Sequence, residues 1–285
     1  MHDRHFSNSL LAKINDRTSY IGLLLITLLI SKTGGAAIFG DGNPTNGIED
    51  QRLLAPDNLK RSVGTVFCDG GLRGTAVHID AGDSDQQGSI ILTAAHILYH
   101  SGTGERYGKC AYHPQGKRLS GVSFAKVSAH KFRPKMGNKI RQANQDIVFI
   151  ALKKTLRHSG MTLNLTGQNN NHLQLLGFNE SQTNISISNN CQSFLSRQFT
   201  SPKLLLHDCD AGSGASGGPL IDEETGAVVG IHGGTLIFSP LGAQARNATA
   251  GASVDPERLI NQARKIDVDV LSQLHEFTAY LAKHL

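Results

Sequence analysis

Cys209-Asp210-Ala211-Gly212-Ser213-Gly214-Ala215-Ser216-Gly217-Gly218-Pro219-Leu220 is the stretch on which the reading of this chain turns. Glycine and alanine crowd around Ser216, so the backbone can bend sharply and leave the serine hydroxyl and nearby amides open. A nucleophile beside an oxyanion site needs that combination. Two other readings fit the stretch taken alone. Gly214-x-Ser216-x-Gly218 matches the elbow that carries a nucleophile between a strand and a helix. A Gly/Ser-rich turn without chemistry is the third. The continuation argues against the elbow. Pro219-Leu220-Ile221 reads as a strand rather than a helix, and no alternation of strands with helices precedes it.

The flanking sequence is strand-like on both sides. Residues 62–68 and 75–79 alternate, and 89–93 form a short apolar run. Further short runs cover 122–127, 146–152, 173–178, 185–188, 203–207, 219–221, 227–231 and 251–254, with turn residues between them. Strand after strand at short intervals predicts an all-β barrel or sandwich. Only the end differs. Asp255-Pro256-Glu257 has the form of a helix start, and Val270, Leu271, Leu274, Phe277 and Leu281 recur at helical spacing. One or two amphipathic helices packed on the β structure are expected over 255–285.

The chain has 285 residues and a net charge of +5, enough length for one large or two small domains. Its basic residues are scattered. The densest runs, 4–17 and 126–141, lack interleaved aromatics, so no nucleic-acid partner is expected. Residues 20–30 are apolar, too few for a spanning helix and right for a signal-peptide core. Arg4, Lys13 and Arg17 precede the run and Gly35-Ala36-Ala37 follow it. A signal peptide over 1–37, cleaved after Ala37, is expected, and an anchor formed by residues 20–30 is the alternative. Residues 38–60 read as an extended, poorly structured lead-in. Cys68, Cys110, Cys191 and Cys209 allow two disulfides in three connectivities, and export makes such bonds expected.

Two further positions bear on Ser216. Ile91-Leu92-Thr93-Ala94-Ala95-His96 places a histidine at the end of a buried strand. Asp146 heads the apolar run that follows it, and a carboxylate there is costly without a partner. A base, an orienting acid and a nucleophile thus occur in order, each beside a strand. His96 and His100 are four apart but lack the glutamate of a helical zinc motif, so neither a metal nor a cofactor is expected.

Thr93-Ala94-Ala95-His96, Asp146-Ile147-Val148 and Gly214-Ala215-Ser216-Gly217-Gly218-Pro219 together resemble the trypsin/chymotrypsin-like serine proteases. The resemblance covers roughly 62–255. It implies two packed antiparallel β-barrels, 61–160 and 161–254, with the active site between them. His96, Asp146 and Ser216 would be catalytic, and the Gly214 and Ser216 amides would form the oxyanion hole. Ala215 stands where zymogens of the family keep an acid for a new N-terminus, so that activation route should not apply. Ala215, His232 and residues 38–41 look more like the bacterial glutamyl-endopeptidase branch, which would pair Cys68 with Cys110 and Cys191 with Cys209. Asp210 occupies the place of the acid that binds Lys or Arg, and His232 that of a histidine that binds an acidic side chain. These cues conflict, so acidic, basic and other P1 preferences stay open. The implied activity is that of an exported, monomeric serine endopeptidase, secreted or periplasmic, acting on protein or peptide substrates. A catalytically silent binding protein on the same scaffold is the alternative.

Overall fold

Short apolar and β-branched runs bounded by glycine turns become strands that follow one another with few helices between them. The computed structural model describes residues 37–40, 50–82, 88–117, 121–165, 172–180, 183–238 and 255–284, all within the unit Ser31–Leu285. The expected leader up to residue 36, with its apolar run, and the strand expected at 251–254 lie outside these residues. Among the described residues, no helix is long and apolar enough to cross a membrane.

In chain order the strands are β1 (Leu53–Leu54), β2 (Val63–Cys68), β3 (Gly71–Ile79), β4 (Ile90–Thr93), β5 (Cys110–Pro114), β6 (Val122–Val127) and β7 (Val148–Leu152). Then come β8 (Leu173–Asn179), β9 (Asn184–Cys191), β10 (Ser193–Phe194), β11 (Leu204–His207), β12 (Pro219–Asp222), β13 (Val228–Ile237) and β14 (Leu259–Lys265). Helical elements are α1 (Asp57–Lys60), a 3-10 turn at Ala95–Leu98, α2 (Lys139–Ala143) and α3 (Val268–His284). Strands β2-β3-β4-β7-β6-β5 close into a barrel, and the other strands form an eight-stranded sheet ordered β1-β9-β8-β12-β13-β14-β11-β10. Neighbouring strands are antiparallel throughout, as in β2–β3, β4–β7 and β13–β14. Val66, Val77, Ile91, Leu92, Phe149 and Ile150 fill the first barrel. Each such side chain contributes about 1.5–3 kcal/mol on burial. The expected all-β architecture in two halves, with a C-terminal helix, is the one found.

Two expectations need correction. The described parts of the expected loose lead-in over 38–60, residues 38–40 and 50–60, are built into the fold. Ala37 and Phe39 are buried, β1 pairs with β9, and α1 follows. Polar composition concealed this because the backbone makes most of the contacts. The helix expected from Asp255 begins instead at Val268. Asp255 organises a turn, accepting the Arg258 and Leu259 amides on its carbonyl at 2.9 and 2.7 Å and the Glu257 amide on its carboxylate. The chain then runs on as β14, wedged between β13 and β11. Both faces of that strand are buried, including Asn261, Gln262 and Arg264, so the apolar alternation that marks a strand is missing. The second half therefore extends to residue 265.

Candidate active site

His96 lies in the 3-10 turn after β4, where the buried run Ile90–Thr93 ends against Ala94 and Ala95. Asp146 precedes β7, and the pairing of Thr93 with Val148 brings the two ends together. His96 Nδ1 stands 2.6 Å from Asp146 Oδ2, and the His96 amide donates to Asp146 Oδ1 at 2.8 Å. The carboxylate thereby selects the tautomer protonated on Nδ1 and leaves Nε2 as the basic nitrogen. Burial alone would depress the His96 pKa, but the charge and hydrogen bond of Asp146 outweigh it and the value is raised above the usual 6.5. A bulge in β13 between His232 and Gly234 sets Gly233 over this pair. A Cβ on Gly233 would lie 3.2 Å from Asp146 Oδ2 and collide with the Gln262 amide.

Each half of the molecule clamps the loop contributed by the other. From the second half, Arg264 Nε donates to the Asn144 carbonyl at 2.8 Å and the Ser201 hydroxyl donates to Asn144 Oδ1 at 2.6 Å, fixing the corner that leads to Asp146. From the first half, Thr75 on β3 holds the serine loop. Its amide donates to the Ser216 carbonyl at 2.7 Å. Its hydroxyl donates to the Gly214 carbonyl at 2.6 Å and accepts the Phe178 amide at 2.8 Å. Its own carbonyl accepts the Thr93 hydroxyl at 2.6 Å. In the sequence Thr75 is only a residue of an alternating strand. Its role comes from contacts more than a hundred positions away, and no local signal carries it.

Gly217, at φ +86°, passes so close to Thr93 and Thr75 that any side chain would strike the Thr93 hydroxyl and the Thr75 carbonyl. The Gly217 amide donates to the His232 carbonyl at 2.7 Å and the His232 amide to the Gly218 carbonyl at 2.9 Å, joining the loop to β13. Among the described residues, the Gly214 and Ser216 amides donate to no protein acceptor. Two N–H groups are thus left open where an oxyanion hole is expected. The Ser216 hydroxyl makes no hydrogen bond to His96 among these residues, although such bonds commonly tighten only when substrate binds.

Asp210 sits elsewhere. It is 3 % exposed, and its carboxylate accepts the amides of Phe39 at 2.6 Å, Gly40 at 2.9 Å and Gln51 at 2.8 Å. Burial raises its pKa against the pull of those amides, and the charge of Asp50 adds to the rise. Ala37 docks beside it. The Ala37 amide donates to Asn261 Oδ1 at 3.0 Å, and its carbonyl accepts from the Ala211 amide and Asn261 Nδ2 at 2.9 Å each. Disulfides join Cys68 to Cys110 and Cys191 to Cys209, the latter at the entrance to the serine loop.

His232 and His207 are fully buried, with His232 Nδ1 3.2 Å from His207 Nε2. Burial pushes the His207 pKa down to about 3, opposed by the Gln262 carbonyl. The His232 pKa falls well below 6.5 through burial and through the neighbouring His207 and His96. His232 Nε2 has no hydrogen-bond partner among the described residues. His100 caps a turn, its Nδ1 accepting the Gly102 and Thr103 amides at 3.2 Å. Among the described residues, no group of three or more His, Cys, Asp or Glu could hold a metal ion.

Comparison with known proteins bears on the fold and the family. Several solved structures share the fold. A Glu endopeptidase in complex with MPD has a TM-score of 0.59 at 13 % identity, covering 80 % of this chain and 96 % of that one. A thermostable serine protease, AL20, from an extremophilic microorganism has 0.55 at 12 % identity, covering 78 % and 98 %. Human heparin binding protein has 0.52 at 12 % identity, covering 82 % and 97 %. At these identities the likeness is one of fold. No curated protein matches the chain in sequence. The profile described as the trypsin-like peptidase domain matches residues 74–231, from β3 through the serine loop into β13. On that match, the chain belongs to the trypsin-like peptidase family.

Proposed function

We propose that this chain is an exported serine endopeptidase with His96, Asp146 and Ser216 as its catalytic residues. The observation that carries the reading is the 2.6 Å contact of His96 Nδ1 with Asp146 Oδ2, next to a serine loop whose Gly214 and Ser216 amides are open. In this mechanism His96 Nε2 takes the Ser216 proton as Oγ attacks the scissile carbonyl. Asp146 holds the ring and stabilises the imidazolium. The Gly214 and Ser216 amides receive the developing oxyanion, and losing one such donor typically costs about 3–4 kcal/mol. His96 then protonates the leaving amine, and water hydrolyses the acyl-enzyme. Two disulfides fit an oxidising compartment and so the export reading.

For specificity, the two cues from sequence no longer weigh equally. The Asp210 carboxylate is taken up by three backbone amides, which speaks against a role in binding Lys or Arg. His232 keeps a buried ring nitrogen without a partner, and a carboxylate reaching it would supply one. We therefore favour an acidic P1 residue. The ring has no exposed surface, so such binding requires the wall around it to open.

A fluorophosphonate probe tests the chemistry. The wild-type chain should be labelled on Ser216, and Ser216→Ala should abolish both labelling and turnover. Turnover that survives in Ser216→Ala would overturn the assignment. Cleavage of a peptide library should show Glu or Asp at P1, and a preference for Lys or Arg would return Asp210 to the pocket.

A further inference from the structure

Beside His96 lies a cationic cleft that the catalytic reading does not use. Phe132 is buried with its ring 6.5 Å from the His96 ring, and the chain then emerges as Arg133-Pro134-Lys135-Met136. Together with Arg141 and the turn at Thr103, these residues line an open cleft of about 470 Å³. The segment is firmly built. Gln142 Nε2 donates to the Arg133 and Pro134 carbonyls at 3.0 Å each, Asn138 Oδ1 accepts the Arg141 amide at 2.9 Å, and Phe132 anchors the base. The opposite wall follows the turn capped by His100, so both walls connect directly to the ends that carry His96 and Asp146.

The charges in the cleft are unanswered. Arg133, Lys135 and Arg141 are exposed, and none forms an ion pair with a carboxylate among the described residues. No acid occurs between Lys126 and Gln145. Like charges gathered on a rigid rim repel one another and gain from a polyanionic ligand. Pro134 and Met136 give the cleft an apolar floor on which aliphatic stems can rest. Among the described residues no aromatic side chain lines it, so bases have nothing to stack on.

We propose that this cleft is an accessory subsite for acidic stretches of the substrate polypeptide that flank the scissile bond. This rests on the proteolytic reading and adds to it a site distinct from P1. Full-length Ser216→Ala protein can bind labelled peptides without cutting them, and fluorescence anisotropy reads the affinity. Two peptides share one P1 residue; one is flanked by Asp and Glu, the other by Ser and Gly. At low ionic strength the acidic peptide should bind about tenfold tighter, an advantage that salt near 1 M should erase. R133Q/K135Q/R141Q should remove the difference, and each single Gln variant should remove part of it. Equal affinity for the two peptides would overturn the proposal, as would an advantage that persists in the triple variant. Tighter binding of a single-stranded oligonucleotide of equal charge would also overturn it. With the active chain, kcat/KM should favour the acidic flank and lose that bias in the triple variant. Preferential binding without turnover would sink the protease reading and leave this site standing; turnover without the preference would do the reverse.

Discussion

The Phe39 amide donates to Asp210 Oδ1 across 2.6 Å, tying the start of the described chain to the entrance of the serine loop. Gly40 and Gln51 complete the set, so one carboxylate gathers three amides, of which the buried Phe39 amide would otherwise be left unsatisfied.

Asp210→Ala should therefore destabilise the protein by about 3 kcal/mol, since charged acceptors are worth roughly 1.5–3 kcal/mol and orphaned amides add to the loss. Asp210→Asn keeps one acceptor oxygen and should cost less. Urea titrations measure both. Peptide-library profiling supplies the second readout, and the P1 preference should not move. Loss of a basic P1 preference in either variant would contradict the anchoring role.

Thr75→Val keeps the shape of the side chain but removes the hydroxyl shared by the Gly214 carbonyl and the Phe178 amide. We expect kcat to fall by about tenfold to a hundredfold with KM little changed, because one buried hydrogen-bonded bridge positions the loop. Thr75→Ser should recover most of the rate. Steady-state kinetics on one peptide decides it, and a purely structural role would show in the melt while sparing kcat.

The raised His96 pKa fixes the sign of the pH dependence. A general base works when neutral, so kcat/KM should rise with pH through a midpoint above 6.5 and fall away below it. Stability runs the other way. The pair of protonated His96 with Asp146 stabilises the fold below 6.5, and that contribution is lost as pH rises through the folded pKa. Asp146→Asn should lower the kinetic midpoint and cut kcat by about four orders of magnitude. A pH–rate profile of both proteins checks the two statements together.

Cys191 and Cys209 lie 18 residues apart and close the loop that delivers Asp210. Replacing both with Ser should cost about 3 kcal/mol on the chain-entropy account, against about 4 kcal/mol for the 42-residue separation of Cys68 and Cys110. Denaturant midpoints of the two double variants give the comparison. Activity should suffer more from loss of the first pair, because only that pair borders the serine loop.

What the sequence makes legible depends on how local the signal is. The runs before His96 and after Asp146 are short and apolar, and they lie in paired strands. The glycines near Ser216 announce a sharp turn without reference to anything distant. Asp210 is illegible because its partners are backbone amides, which leave no trace in side-chain chemistry. Thr75 looks like any strand threonine until Gly214 and Ser216 are folded against it. Residues 259–265 mislead in another way. A central strand buries both faces, and here polar Asn261, Gln262 and Arg264 fill it, with Asn261 and Arg264 donating to the distant carbonyls of Ala37 and Asn144. A helix start signal at Asp255 then wins the reading, although Asp255 serves a turn.

The crossed clamps, Arg264 upon Asn144 and Thr75 upon Ser216, mean that each half adds a hold on the loop contributed by the other. A chain whose second half is not yet folded would carry Ser216 and His96 as unassembled parts. Cutting power would appear only once both halves have docked, so unfinished copies emerging alongside would meet no active neighbour among themselves. Completion of folding would then be the event that arms the chain, with no separate latch needed.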